Sequence, residues 1–238
     1  YGTSPDADCS VSVRSSTVAG LDLRIDGFDC RVPLTGRFNA YNVAAAYGAS
    51  TAVRGTDRAA IRDHLSRLRP VPGRMEGFRT EDGRRIVVDY AHTPDALERV
   101  LETLREAASP ETRIWCVFGC GGDRDRAKRS RMGRVAELGA DRVIVTSDNP
   151  RTEDPEAIIR AILEGIEAPE RVDVEVDRRA AIRKVAEESD PGDLVLVAGR
   201  GHETVQEVGS ERRALDDRAE VRRWFSAHPE HRSSPARP

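Results

Sequence analysis

Two polar segments in this 238-residue chain each follow an apolar run and carry the side chains that recognise an amino acid. Val143-Ile144-Val145 leads into Ser147-Asp148-Asn149-Pro150-Arg151, which sets an acid, an amide and a guanidinium within four residues. The Arg151 fork can hold a carboxylate through two parallel hydrogen bonds, and Asp148 can hold an ammonium group. Leu194-Val195-Leu196-Val197-Ala198 leads into Gly199-Arg200-Gly201-His202-Glu203, a glycine-bearing turn that ends in a second acid. In open α/β sheets ligands sit beyond the carboxyl ends of the strands, so two such edges can face one zwitterion.

Three further segments carry polar groups. Gly119-Cys120-Gly121-Gly122-Asp123-Arg124 lies between an apolar run and a helical pattern. Its amides can hold an anion at a helix N-terminus or simply form a tight turn, and both readings stand. Arg124 takes the place of the third glycine of a dinucleotide fingerprint, and the order of a P-loop, G-x-x-x-x-G-K-[ST], is absent. Asp89-Tyr90-Ala91-His92-Thr93-Pro94-Asp95 places Asp89, Tyr90 and His92 at another strand end, ahead of a proline suited to the first helical position. A nucleotide contact and an N-cap by Thr93 are equally compatible with it. Asn39 and Asn42, three apart at a helix start, can cap the helix or read a base edge; spacing alone favours the cap.

The elements that must position these groups follow from periodicity. Short strands are predicted at Cys9 to Arg14 and Leu21 to Ile25, then helices from Gly36 to about Val53 and from Asp57 through Leu68. Pro70 and Pro72-Gly73 mark a linker. Beyond it, strands at 85–89, 114–118, 143–146, 172–176 and 194–198 alternate with helices at 94–107, 127–139, 155–166, 178–188 and near 217–225. Continuous apolar strands alternating with amphipathic helices specify an α/β fold, a doubly wound, mostly parallel Rossmann-like sheet covered on both faces. Residues 229–238 are expected to form a disordered tail.

Composition narrows the function class. The net charge is −3, with pI near 6.0, which predicts no nucleic acid and no anionic membrane as partner. Lys128 and Lys184 are the sole lysines among 38 Lys and Arg residues. Cys9, Cys30, Cys116 and Cys120 lack the paired short spacings of a zinc site and are expected to be reduced. No signal peptide and no apolar run of about 18 residues is present, which predicts a cytoplasmic protein.

Six ordered motifs together resemble the Mur ligases. They are Gly36-Arg37-Phe38-Asn39-x-x-Asn42, Val71-Pro72-Gly73-Arg74-Met75-Glu76, Asp89 through Asp95, Gly119 through Asp125, Asp148-Asn149-Pro150-Arg151 and Gly199-x-Gly201-His202-Glu203. Among that family the motifs are nearest the members that add meso-diaminopimelate to UDP-N-acetylmuramoyl-L-alanyl-D-glutamate (UDP-MurNAc-L-Ala-D-Glu). The resemblance implies an ATP-dependent amide ligase of peptidoglycan synthesis, with Mg2+ offsetting phosphoryl charge. It implies that Arg124, Asp148, Asn149, Arg151, Gly199 and Glu203 bind diaminopimelate, and that Asn39, Asn42, Arg74, Asp89, Tyr90 and His92 bind the nucleotide. Arg151 argues for diaminopimelate over lysine, since lysine has no distal carboxylate.

The same resemblance implies that residues 1–72 are the last portion of a central ATP-binding domain and that 73–228 are the C-terminal domain. The chain is then expected to start inside the central domain, to need N-terminal ligase domains as partners, and to be inactive alone. It has no P-loop, no central-domain metal ligands and no carbamylated lysine, and no catalytic residue is assigned to it. Folylpolyglutamate and cyanophycin synthetases share the architecture, but the Asp-Asn-Pro-Arg segment points away from them. The rival class is a non-catalytic ligand-binding or interaction module.

Overall fold

The computed structural model describes residues 1–53 and 56–225, and the backbone of 228–229. These residues fall into two compact units, one from Tyr1 to Pro70 and one beginning at Val71.

In the first unit β1 (Val11–Thr17), β2 (Gly20–Ile25) and β3 (Phe28–Val32) form an antiparallel sheet in sequence order. Alternate residues of β2, Leu21, Leu23 and Ile25, pack on Val43, Ala44 and Tyr47 of α1 (Phe38–Ala52) and on Leu65 of α2 (Arg58–Leu65). The Asp57 side chain accepts from Ala59 N and caps α2. Sequence reasoning missed β3 because its residues up to Arg31 alternate between partial and full exposure and only Val32 is buried, and it carried α2 three residues too far. The N-cap of α1 is Arg37, with no side-chain cap, so Asn39 and Asn42 lie inside the helix and do not cap it.

The second unit holds a seven-stranded sheet. Its members are β4 (Glu76–Arg79), β5 (Arg85–Asp89), β6 (Ile114–Phe118), β7 (Arg142–Val145), β8 (Val172–Val174), β9 (Leu194–Ala198) and β12 (His228–Pro229). The order across the sheet is β12-β4-β5-β9-β6-β7-β8. The run from β5 to β8 is parallel, while β4 is antiparallel to β5 and β12 to β4. The connecting helices are α3 (Pro94–Ala107), α4 (Lys128–Gly139), α5 (Pro155–Leu163), α6 (Arg178–Glu188) and α7 (Asp217–Trp224). β9 inserts between β5 and β6, so the chain reverses direction across the sheet there, and the switch point opens at the carboxyl ends of β5, β9 and β6.

Side-chain alternation divides the core. Ile86, Val88, Trp115, Val117, Ile144, Val195 and Val197 meet Ala181, Ile182 and Val185 of α6 and Val221 of α7. The intervening Val87, Cys116, Phe118, Val143, Leu196 and Ala198 are equally buried and point to the other face. Both faces are therefore covered, which is why these strands read as unbroken apolar runs. Four strands escaped that reading. β4 and β12 are short and antiparallel, and the hairpin of β10 (Val205–Val208) and β11 (Glu211–Ala214) is half-buried to exposed. Pro229 lies in β12, so the expected tail begins no earlier than residue 230, and 230–238 lie outside the described residues. All four cysteines are free, and among the described residues no helix is long and apolar enough to cross a membrane.

One ion pair locks the carboxyl edge from behind. Arg178, at the start of α6, donates to Asp217, at the start of α7, through Nε at 2.9 Å and Nη2 at 2.8 Å, and both side chains are wholly buried. Nη2 also donates to the carbonyl of Ala198, at the end of β9. Burial works against the Arg178 charge, yet the Asp217 charge and hydrogen bonds outweigh it and raise its pKa. Removing one partner of such a pair strands the other in a low-dielectric interior. Asp217→Ala is expected to lower the unfolding free energy by about 3–5 kcal/mol in urea denaturation, and a joint Arg178→Met/Asp217→Leu change to recover most of that. A loss below about 1 kcal/mol for Asp217→Ala would show that the pair does not hold this edge.

Candidate functional site at the strand carboxyl edge

The six residues singled out for an amino acid all lie in the second unit, at the carboxyl ends of β6, β7 and β9. Asp148 is buried; its Oδ1 accepts from Asn149 N at 2.6 Å, and its carbonyl accepts from Gln206 Nε2 at 2.6 Å. Its Oδ2 faces Gly199, where a Cβ would stand 2.9 Å from that oxygen on a backbone with φ +112°. Glycine at 199 thus serves both the left-handed backbone and the open face of the carboxylate.

Asn149 is the hub of the loop. Its Nδ2 donates to Glu203 Oε2 at 2.8 Å, while its Oδ1 accepts from Arg200 Nη1 at 2.8 Å and Glu207 N at 2.9 Å. One Nδ2 hydrogen remains for a ligand. Arg200 is fully buried, donates to the carbonyls of Val205 and Leu215, and has its Nε 4.0 Å from Asp217 Oδ1. Burial, and then the nearby Arg178 charge, push its pKa down. The ion pair behind the sheet therefore continues through Arg200 into Asn149 and Glu203.

Arg151 has left-handed backbone, φ 50°, fixed by its amide donating to Glu207 O at 3.0 Å and its carbonyl accepting from Gly209 N at 2.6 Å. Its Nε donates to Glu207 Oε2 at 3.0 Å and its Nη1 to Gly122 O at 2.7 Å. Nη2 has no hydrogen-bond partner among the described residues. Arg124 is exposed, and its Nη1 reaches only the carbonyl of Asp123.

The loops after β6 and β7 are stitched together. Gly122 N donates to Asn149 O, and Asp123, also left-handed at φ 54°, accepts from the Thr152 amide and hydroxyl. Glu153 accepts from Asp123 N at 2.7 Å and binds buried Arg129 through both guanidinium Nη atoms, at 3.1 and 2.9 Å. The Arg129 hydrogen bonds, with help from the Asp123 amide, bring the Glu153 carboxyl down to about 2.

The nucleotide candidates divide between the units. Arg74, Asp89, Tyr90 and His92 gather at the end of β5, whereas Asn39 and Asn42 belong to α1 of the first unit. The Arg74 guanidinium stands 4.3 Å from the Tyr90 ring centroid, and Tyr90 also meets His92 at 4.6 Å and His202 at 5.3 Å. A Cβ on Gly73 would fall 2.1 Å from the Gly201 carbonyl carbon, so the turn before β4 and the turn after β9 touch backbone to backbone. Asp89 is buried and accepts from Met75 N and Ala91 N, one amide per oxygen. Burial pushes its carboxyl above the ordinary value, against those two donors. Thr93 caps α3 with Pro94 in its first turn. Asn39 Nδ2 donates to Thr35 O, and Asn42 Nδ2 to Asn39 Oδ1.

Sequence reasoning missed Arg178, Asp217, Arg129, Glu153, Gln206 and Glu207. Most are distant partners with no local pattern. The hairpin carrying Gln206 and Glu207 did leave a signal in the two-residue Gly209-Ser210 loop, a preferred hairpin turn.

These residues sit on a doubly wound α/β domain, at its switch-point edge. The family model described as Mur ligase, glutamate ligase domain, matches residues 73–201, and the chain belongs to the Mur ligase family. Within it, the UDP-N-acetylmuramoyl-L-alanyl-D-glutamate–2,6-diaminopimelate ligase of Neisseria meningitidis serogroup A is 48% identical over 79% of this chain and 38% of its own length. The ligase of the same name from Thermosynechococcus vestitus is 45% identical over 93% of this chain and 45% of its own. A solved structure of a ligase of that name is 44% identical, with TM-score 0.70, and matches 94% of this chain and 46% of the other. The chain thus spans less than half the length of these relatives.

Glu153 makes the stitching testable by pH. Its carboxyl titrates lower in the folded state than the ordinary 4.5, so its stabilisation is present above pH 4.5 and is lost as pH falls toward about 2. In chemical denaturation across that range, Glu153→Gln is expected to lose less stability on acidification than the parent. Equal pH slopes would contradict the Arg129–Glu153 tie.

Proposed function

We propose that this chain supplies the amino-acid-reading edge of an ATP-dependent ligase that joins meso-diaminopimelate to UDP-MurNAc-L-Ala-D-Glu. The observation that carries the reading is the set of charges at one sheet edge. Arg124 and Arg151 supply two guanidinium groups and Asp148 and Glu203 two carboxylates, which matches the two carboxylates and two ammonium groups of that diacid. Arg151 takes the distal carboxylate, Arg124 the other, and Asp148 and Glu203 the ammonium groups. Asn149 holds Glu203 in place and offers its spare N–H, and Gly199 keeps Asp148 uncovered.

The relatives' names, which contain this acceptor and diaminopimelate, support the reading. A carboxylate is a poor electrophile, so the reaction requires its activation. In this proposal ATP phosphorylates the glutamate carboxylate and releases ADP; one ammonium group of diaminopimelate gives up a proton, and the free amine attacks the acyl phosphate, forming the amide and releasing phosphate and a second proton. For this step the chain positions the amine. Residues 1–72 are read as the last portion of the central ATP-binding domain and 73–228 as the C-terminal domain.

In the second unit, Arg74 is proposed for the ATP phosphates and Tyr90 and His92 for ribose and base. Asp89, with each oxygen already bonded to an amide, acts by holding their turn. Asn39 and Asn42, in the first unit, are proposed separately for adenine. Among the described residues no group of three or more His, Cys, Asp or Glu converges to hold a metal, and the proposal assigns Mg2+ no ligand in this chain. The 238 residues contain no P-loop sequence, so the proposal has them bind diaminopimelate and leave phosphoryl transfer to other parts of the ligase.

Calorimetric titration tests this directly. The chain is expected to bind meso-diaminopimelate at least about tenfold more tightly than L-lysine, the scale of one charge-assisted hydrogen bond. Arg151→Ala is expected to remove that difference, and Glu203→Gln to weaken diaminopimelate. Equal affinity for the two amino acids in the unaltered chain would reject the reading.

A further inference from the structure

Arg151 is not a free fork in this fold. Its side chain is about one quarter exposed, and two of its three nitrogens are already engaged, Nε by Glu207 and Nη1 by Gly122 O. A guanidinium so held cannot rotate about its long axis. It presents only the end bearing Nη2 and the remaining Nη1 hydrogen, so an incoming carboxylate must dock on that end.

Glu207 is itself placed by two bonds of its main chain. Its amide donates to Asn149 Oδ1 and its carbonyl accepts from Arg151 N, the latter as part of the isolated bridge between Arg151 and Val208. Gln206, next to it, holds the Asp148 carbonyl. The β10–β11 hairpin is therefore strapped across the Asp148–Arg151 loop, and Glu207 is the side chain through which it touches the guanidinium.

We infer that Glu207 is a positioning residue for the distal carboxylate, fixing the direction in which Arg151 offers its free end. The inference rests on the diaminopimelate reading above. The Glu207 side chain is 43% exposed, so the Coulombic attraction across this pair is screened and contributes little. What it contributes is a fixed acceptor for Nε–H, which removes the ordering cost that a free arginine meets on binding. The contact also means that Arg151 is already paired when no distal carboxylate is present. Discrimination against lysine then comes from the bonds diaminopimelate gains and not from an arginine left unpaired.

Two readouts on the same chain test this. The first is the Arg151 Nε–H signal in 15N NMR, assigned by its loss in Arg151→Ala, which reports the Glu207 contact without any ligand. It is expected to be protected from solvent exchange in the parent and in Glu207→Gln, which keeps an acceptor oxygen, and to exchange rapidly in Glu207→Ala. The second is the Kd for meso-diaminopimelate. It is expected to rise about tenfold in Glu207→Ala, the scale of one lost positioning hydrogen bond, and to be largely rescued in Glu207→Gln. An unchanged Kd in Glu207→Ala, or a Glu207→Gln variant as weak as Glu207→Ala, would overturn the inference. If the parent shows the protected signal yet binds no diaminopimelate, the substrate reading fails and the assignment of Glu207 to that substrate fails with it. An unprotected signal in a parent that does bind rejects the positioning role alone.

Discussion

The carboxyl edge of the second unit depends on a buried salt bridge. Arg178 and Asp217 have no solvent exposure, and ionised groups in that position are tolerated only when each satisfies the other. The requirement fixes the starts of α6 and α7 against the ends of β7 and β9, because Arg178 also reaches the carbonyls of Ser147 and Ala198. Arg200 extends the constraint forward. Lying near Asp217, it donates to the Asn149 amide oxygen and to two carbonyls flanking the hairpin. The loop after β7, the turn after β9 and the hairpin are consequently set by one network of fixed charges.

That rigidity lets the loops hold backbone conformations they would not adopt alone. Met75, Asp123 and Arg151 are three of the four non-glycine residues with positive φ among those described. Each such conformation costs roughly 1 kcal/mol or more and persists only where surrounding bonds over-determine it. Met75 N is held by Asp89, Asp123 N by Glu153, and Arg151 by main-chain bonds to Glu207 and Gly209. By contrast, exposed pairs such as Arg160–Asp154 and Arg213–Glu211 lie in solvent, where screening leaves them little effect. An arginine-rich composition thus hides a small number of buried guanidinium groups that organise the site.

Legibility in the sequence followed burial. Strands covered on both faces, such as Ile114–Phe118 and Leu194–Ala198, announce themselves as apolar runs, and the polar residues just beyond them were readable as a carboxyl edge. Strands that bury little, such as Glu211–Ala214, leave no such run. Asp148, Asn149, Arg151 and Glu203 were legible because their chemistry is local. Their supports were not, since Asp217 acts on Arg178 across 39 positions and Glu207 on Arg151 across 56. Asn39 and Asn42 show the opposite failure, where spacing suggested a cap and the helix start placed both inside the helix.

On the proposed function, this edge arrives preformed and reads a zwitterionic diacid from both ends. The decisive measurement is a crystal structure of the chain with meso-diaminopimelate. One carboxylate is expected on the Nη2 end of Arg151 with the Glu207 contact intact, an ammonium group against Asp148 or Glu203, and the Asn149–Arg200–Asp217 network unmoved. Diaminopimelate bound away from Arg151, or Arg151 turned off Glu207 to meet it, would refute a preformed edge of this kind.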